Sequence, residues 1–355
     1  MNRRDFMRPR QLARSAGQVF GAPEERPGED PPSGRPDVAL LRVARPAMAT
    51  TFEVLVPYGT ARGLEAAEAA LNEVDRLEAQ LTVYRESSEV SRMNRLAGVM
   101  AVPIQEGLYG LLALAARITR ETGGAYDIST GALIKAWGFY RRCQRVPSAA
   151  ERAEVLSRVG MGYVVLDREG QTVRYLRRGL EINLGSIGKG YALDRAAALL
   201  RGDWNLTAGL LHGGHSSVYA IGSAPGDERG WAVGIRHPWD AARRIAVVRL
   251  RDGALGTSAA TFQHLEYQGR KLGHLLDPRT GWPAEAVAGA SAVAPTAAEA
   301  DALATAFFVL GVEGTRAYCA EHPAVGAVLL PQGDAAEPVV IGLSDDDIDL
   351  APAAL

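Results

Sequence analysis

Residues 295–311, PTAAEADALATAFFVLG, carry a carboxylate and a hydroxyl four positions apart, Asp301 and Thr305, inside a run of Ala, Leu and Phe. Four apart on a helix means one face, and two oxygen donors on an apolar helix are costly unless something binds them. A hard cation such as Mg²⁺ suits them, because it takes one or two protein oxygens and completes its octahedron with water and phosphate. The plainer alternative stands beside it: Asp301 as a solvated helix charge and Thr305 bonded back to a carbonyl. A second stretch, INLGSIGKGYALD (182–194), sets Gly185, Gly188 and Gly190 around Lys189 ahead of a helical pattern. Glycines let backbone N–H groups approach a phosphate, and a lysine at a helix start adds charge. The spacing is neither GxxxxGK[ST] nor GxGxxG, and packing alone explains many such turns.

Four further stretches hold reactive side chains. HLLDPRTGWP (274–283) is a tight turn by composition: Pro278 sets φ, Asp277 can accept an N–H two residues on, and Gly281 relieves the exit. His274 stands at its start. In YDISTG (126–131) Asp127 precedes Ser129 and Thr130 in what reads as an N-cap cluster. GLLHGGHSS (209–217) has His212 and His215 three apart around Gly213 and Gly214, with no third ligand at zinc-site spacing. Thr257 and Ser258 follow a β-like run, where hydroxyls either meet a ligand or cap. Trp137, Trp231 and Trp282 read as core.

The elements that must position these groups are mixed rather than strictly alternating. Short apolar runs such as TFEVLVPY, YVVLD, SSVYAIGS, WAVGIRH and GAVLLP read as strands, and residues 61–81 repeat apolar positions at three and four. Ser148 with Glu151, and Thr296 with Glu299, have capping-box spacing; Gly160 and Gly311 are the expected helix stops. This pattern predicts an α+β fold rather than a doubly wound parallel sheet. Residues 1–37 read as a flexible basic and Pro-rich segment, residues 38–345 as the folded body, and 346–355 as a frayed acidic tail.

Bulk properties exclude several classes. A net charge of −2 and a pI near 6.3 argue against a nucleic-acid partner. Two cysteines, Cys143 and Cys319, are too few for a disulfide scaffold or a zinc site, and read as core thiols. No apolar run reaches the length of a membrane span. NRRDFM at residues 2–7 looks like the start of a twin-arginine export signal, but an arginine-containing stretch follows where an apolar one is needed. The expectation is therefore a cytoplasmic protein, with export through that amino terminus as the alternative.

Taken in order, seven segments resemble the ApbE family, the FAD:protein FMN transferases: MATTFEV (48–54), YRESSEVSRMN (84–94), YDISTGALIKAWGF (126–139), NLGSIGKGYALD (183–194), TSA (257–259), HLLDPRTG (274–281) and ADALATAFFVLG (300–311). The likeness spans roughly residues 46–330. It implies a layered α+β fold with mixed or antiparallel sheets and flanking helices. It also implies Mg²⁺-dependent cleavage of FAD, with FMN left on a Thr or Ser of an acceptor flavoprotein and AMP released. By matching position Asp301 and Thr305 become metal ligands together with the carbonyl region at Ser186. Lys189 would hold phosphate, and Met48, Tyr84, Asp127, Gly185, Gly214, Thr257, Ser258 and Asp277 would contact the flavin nucleotide. His274 would be the base that takes the acceptor's proton, a task suited to imidazole near neutral pH.

The chain departs from the family pattern at His215, where the family has an acid after its paired glycines, at Asn183 in place of Asp, and at Ala259 in place of Gly. Rival readings are a non-catalytic FAD-binding relative, a metal-dependent FAD pyrophosphatase giving FMN and AMP, and a purely structural domain.

Overall fold

A computed structural model describes residues 39–139, 145–259, 264–267, 269–333 and 336–350. The expectations placed on residues 1–37 and on Cys143 lie outside them. The first strands are Leu40–Ala47 (β1), Thr50–Pro57 (β2), Val102–Pro103 (β3), Val164–Asp167 (β4), Thr172–Tyr175 (β5), Gly209–Gly213 (β6), Ser217–Ile221 (β7) and Trp231–His237 (β8). There follow Asp240–Leu250 (β9), Gly253–Ala259 (β10), His264–Tyr267 (β11), Arg270–Gly273 (β12), Gly289–Ala294 (β13), Gly326–Leu330 (β14), Val339–Ile341 (β15) and Ile348–Leu350 (β16). The helices are Gly63–Leu81 (α1), Glu89–Leu96 (α2), Glu106–Glu121 (α3), Gly131–Ala136 (α4), Ala149–Leu156 (α5), Gly188–Gly202 (α6) and Ala297–Glu321 (α7).

An eight-stranded sheet in the order β1-β2-β6-β7-β10-β13-β14-β15 forms the middle layer, with every neighbouring pair antiparallel. Its central strands β7 and β14 are buried on both faces, so β14 reads as an unbroken apolar run rather than an alternating one, while the outer strand β1 alternates. On one face Leu211, Tyr219, Ile221 and Ala254 pack with α1, α3, α6 and α7 in the main core. On the other, Leu210, Val218, Leu255 and Val328 meet Trp231, Val233, Ile235 and Val248 of the small sheet β16-β9-β8. Ile348 belongs to this second core, and its strand pairs with β9 in register Ile348↔Val248. Within the stretch read as a frayed tail, Ile348–Leu350 thus form a strand, because a single buried isoleucine and an edge to pair with outweigh its acidic neighbours; residues 351–355 lie outside the described residues.

Two small residues decide how the helices sit. A Cβ on Gly190 of α6 would stand 2.0 Å from the Ala297 carbonyl oxygen, and one on Gly256 of β10 would stand 2.3 Å from that of Ala300. Both glycines therefore let α7 lie directly against α6 and the sheet. Asp194 completes the junction by accepting the Ala297 and Ala298 amides, at 2.7 and 2.9 Å, on the first turn of α7. Both capping serine/threonine residues act as the sequence predicts: Ser148 accepts from Glu151 N and Thr296 from Glu299 N. The stops differ. α5 ends at Leu156, a turn before Gly160, and at Gly311 (φ 70°, ψ −170°) the chain kinks and resumes as helix to Glu321. Trp137 and Trp231 are buried core, whereas Trp282 is half-buried with the Arg152 guanidinium 4.5 Å from its ring centre. Cys319 is buried, and burial pushes its thiol up to about 11.

Candidate active site

At the carboxyl ends of β10 and β12, where α6 and α7 begin, a cleft of about 500 Å³ opens. Asp127, Gly185, Ser186, Lys189, Thr257, Ser258, His274, Asp301 and Thr305, all singled out from sequence, line it together. They come from five separated segments, and the α6–α7 contact at Gly190 brings the glycine–lysine loop to the acidic helix.

Asp301 lies on the first turns of α7 and is 6% exposed. Burial raises its carboxyl above the usual aspartate range, while the Lys189 charge, the Ser217 hydroxyl and the Gly190 amide oppose that rise. Its Oδ2 accepts from Gly190 N at 2.8 Å and its Oδ1 from Ser217 Oγ at 2.6 Å. Thr305 Oγ1 contacts the Asp301 carbonyl at 3.3 Å, the back-bond of the plainer reading, and also meets Ser258 Oγ at 3.1 Å. Ser186 Oγ donates to the buried Tyr126 hydroxyl at 3.4 Å. Among the described residues no group of three or more His, Cys, Asp or Glu can hold a metal. One carboxylate with neighbouring hydroxyl and carbonyl oxygens would instead suit a cation that keeps its waters and shares phosphate oxygens, as Mg²⁺ does.

Asp127 does not cap the short helix α4, whose N-cap Thr130 makes no side-chain cap bond. Its Oδ1 accepts from Ser129 N and its Oδ2 from Met161 N at 2.8 Å, so it ties two loops together at the cleft floor. Burial raises its carboxyl too.

Met48 and Tyr84 line an adjoining pocket of about 270 Å³, which shares Asn183, Gly185 and Lys189 with the cleft. Met48 and Ala49 form the two-residue turn between β1 and β2, both at positive φ (48° and 62°). Neither is glycine, and this strained turn sits at the pocket's edge. Tyr84 is 69% exposed.

Gly214 and Asp277 are not among the lining residues. Gly214 (φ 70°) makes the β6–β7 turn, and its amide donates to the Thr51 carbonyl at 2.9 Å. A Cβ there would meet Thr50 Oγ1, so this glycine fixes where the next residue, His215, reaches the cleft. His212, three residues earlier in β6, does not line the cleft, and burial lowers its pKa.

Asp277 builds the turn that follows His274. Its carboxylate accepts from Arg279 N, its carbonyl from Gly281 N, and its amide donates to the Trp282 carbonyl. With Leu276 bridged to Pro283 and Ala284 N donating to Leu275 O, residues 275–284 close into a clasp. The Trp137 indole pins that clasp by donating to the Gly281 carbonyl at 2.9 Å. His274 stands at its mouth, with Nδ1 buried.

Sequence reading passed over Ser217, Ser216, Tyr126, Asp194 and Ser291. Ser291, on β13, pairs with Thr257 Oγ1 at 2.9 Å. Ser217 and Ser291 lie in strand runs where an alternating serine looks like a tolerated small residue, and no spacing rule links them to Asp301 or Thr257.

A profile described as the ApbE family matches residues 48–329. The FAD:protein FMN transferase of Treponema pallidum is 36% identical over 283 residues, covering 74% of this chain and 77% of its own length. The protein of the same description from Escherichia coli K12 is 27% identical, covering 81% and 83%. A crystal structure of an ApbE protein from Thermotoga maritima superposes with a TM-score of 0.77 at 29% identity, covering 85% of this chain and 97% of that one.

Proposed function

This chain belongs to the ApbE family, and we infer that its reaction is flavin transfer from FAD to a protein, as an FAD:protein FMN transferase. We propose further that the acceptor atom is a Thr or Ser hydroxyl, that AMP leaves, and that Mg²⁺ assists. The carrying observation is one cleft that joins an imidazole, a buried carboxylate beside two hydroxyls, and a lysine at a helix start. The adjoining Met48–Tyr84 pocket meets this cleft at Gly185 and Lys189. Two hollows joined there suit a dinucleotide whose pyrophosphate lies over the loop.

Lys189 and the positive end of α6 would hold the pyrophosphate oxygens. Asp301, Thr305 and the Ser186 segment would hold Mg²⁺, which neutralises charge developing on the phosphates. His274 takes the proton from the acceptor hydroxyl as its oxygen attacks the phosphorus of the FMN half. A phosphorus–oxygen bond to the acceptor forms, the bond to the AMP phosphate breaks, and AMP departs with the bridging oxygen. The clasp behind His274 keeps the imidazole aimed, which matters because misplacement of about 1 Å can cost about 100-fold in rate.

The test is incubation of the purified chain with FAD, Mg²⁺ and an acceptor domain bearing a Thr or Ser flavinylation site. Flavin fluorescence should migrate with the acceptor on a denaturing gel. His274→Ala should abolish that band while FAD still binds. Free FMN in place of the band means hydrolysis, bound intact FAD means a carrier, and transfer at the normal rate by His274→Ala removes the base assignment.

A further inference from the structure

Ser217 is fully buried in β7, yet its hydroxyl serves neither the strand nor the apolar core around it. It donates to Asp301 Oδ1 at 2.6 Å, while Gly190 N–H of α6 donates to Oδ2 at 2.8 Å. Each carboxylate oxygen is therefore gripped by one donor, from a different element, and the carboxylate plane is fixed from both sides. Ser216, which lines the cleft, stands 3.3 Å away through its hydroxyl and links Ser217 to the open space. A carboxylate anchored in this way holds its remaining lone pairs in a fixed orientation. Mg²⁺ needs that more than other hard cations do, because it demands near-ideal octahedral geometry whereas Ca²⁺ accepts six to eight oxygens loosely arranged.

We propose that Ser217 is the positioning residue that holds Asp301 in a cation-binding orientation and biases the site toward Mg²⁺ over Ca²⁺. The proposal rests on the reading of Asp301 as a cation ligand. Hydrogen-bond partners of metal ligands typically govern about 10- to 100-fold in metal affinity.

The full chain, loaded with ADP as a pyrophosphate probe, is titrated calorimetrically with MgCl₂ and separately with CaCl₂. Ser217→Ala is expected to raise the Mg²⁺ Kd about tenfold or more and the Ca²⁺ Kd by no more than about threefold. Ser217→Thr, which keeps the donor, should stay near the parent chain. Ser217→Cys, of similar size and a poorer donor, should fall between, and it carries the test if the alanine variant does not fold. Unchanged Mg²⁺ binding in Ser217→Ala, or in Ser217→Cys where that variant carries the test, overturns the role of Ser217 and leaves Asp301 as a ligand. Equal weakening of Mg²⁺ and Ca²⁺, or equal weakening by Ala and Thr, also overturns it, since loosening of the core then explains the loss. Absence of cation binding by the parent chain removes the ligand reading of Asp301 and this proposal with it.

Discussion

Replacing Gly190 by alanine puts the close contact of α6 and α7 to a quantitative test. The added methyl carbon would lie 2.0 Å from the Ala297 carbonyl oxygen, 2.3 Å from its carbon and 2.6 Å from Ala298 N, all backbone atoms. Real Cβ atoms essentially never come within 3.0 Å, so the helices must separate by about 1 Å or more; no side chain can rotate away to relieve it. Overpacking of this kind costs about 1–3 kcal/mol. The same shift stretches the Gly190 N–H to Asp301 bond, a charged hydrogen bond worth about 1.5–3 kcal/mol. Together these give about 2.5–6 kcal/mol, a large share of the about 5–15 kcal/mol that stabilises a folded protein. Urea denaturation should therefore show a strongly lowered midpoint, and flavin transfer below that midpoint should fall by about 100-fold. Gly110→Ala is the internal control: Gly110 lies in α3 with nothing within 4 Å of its added carbon, so it should stabilise by about 1 kcal/mol. A Gly190→Ala protein with the parent midpoint and transfer within a few-fold of it would refute the idea that helix approach sets the site.

Trp137→Phe should leave the Gly281 carbonyl without its indole donor, costing about 1–3 kcal/mol. Because that bond pins the clasp behind His274, kcat for transfer should drop while FAD affinity, measured by fluorescence quenching, holds. The Asp194 carboxyl is pushed up to about 7, chiefly by burial and against the pull of the Ala298 and Ala297 amides. A carboxyl raised in the folded state takes up its proton before the unfolded chain does. Its stabilising contribution is thus fully present below the ordinary aspartate range and is lost as pH rises through about 7. The melting temperature of the parent chain relative to Asp194→Asn should therefore decline between pH 4 and 7; a flat difference would contradict the raised value.

Much of this protein is legible in its sequence because local chemistry dictates it. Ser148 and Thr296 cap their helices through bonds to residues three positions away, and Asp277, Pro278 and Gly281 make the tight turn their types require. The four-residue spacing of Asp301 and Thr305 puts both beside the cleft, for the reason that a helix turns once in 3.6 residues. The family likeness is local in the same way, carried by short motifs read in order. Where local signals compete with packing they fail: Gly311 breaks the helix but cannot end it, and the acidic run around Ile348 still forms a strand because β9 offers an edge and the core a hydrophobic slot.

What the tertiary structure alone decides is which distant groups meet. Ser217 lies 84 positions from Asp301, and Gly190 lies 111, yet they hold its two oxygens. Trp137 reaches across 144 positions to steady the His274 clasp. Chain order sets periodicity, turns and caps through bonds between near neighbours. The site is made from contacts between strangers in sequence, and those follow only once the sheet is paired and α6 and α7 are pressed together at a glycine.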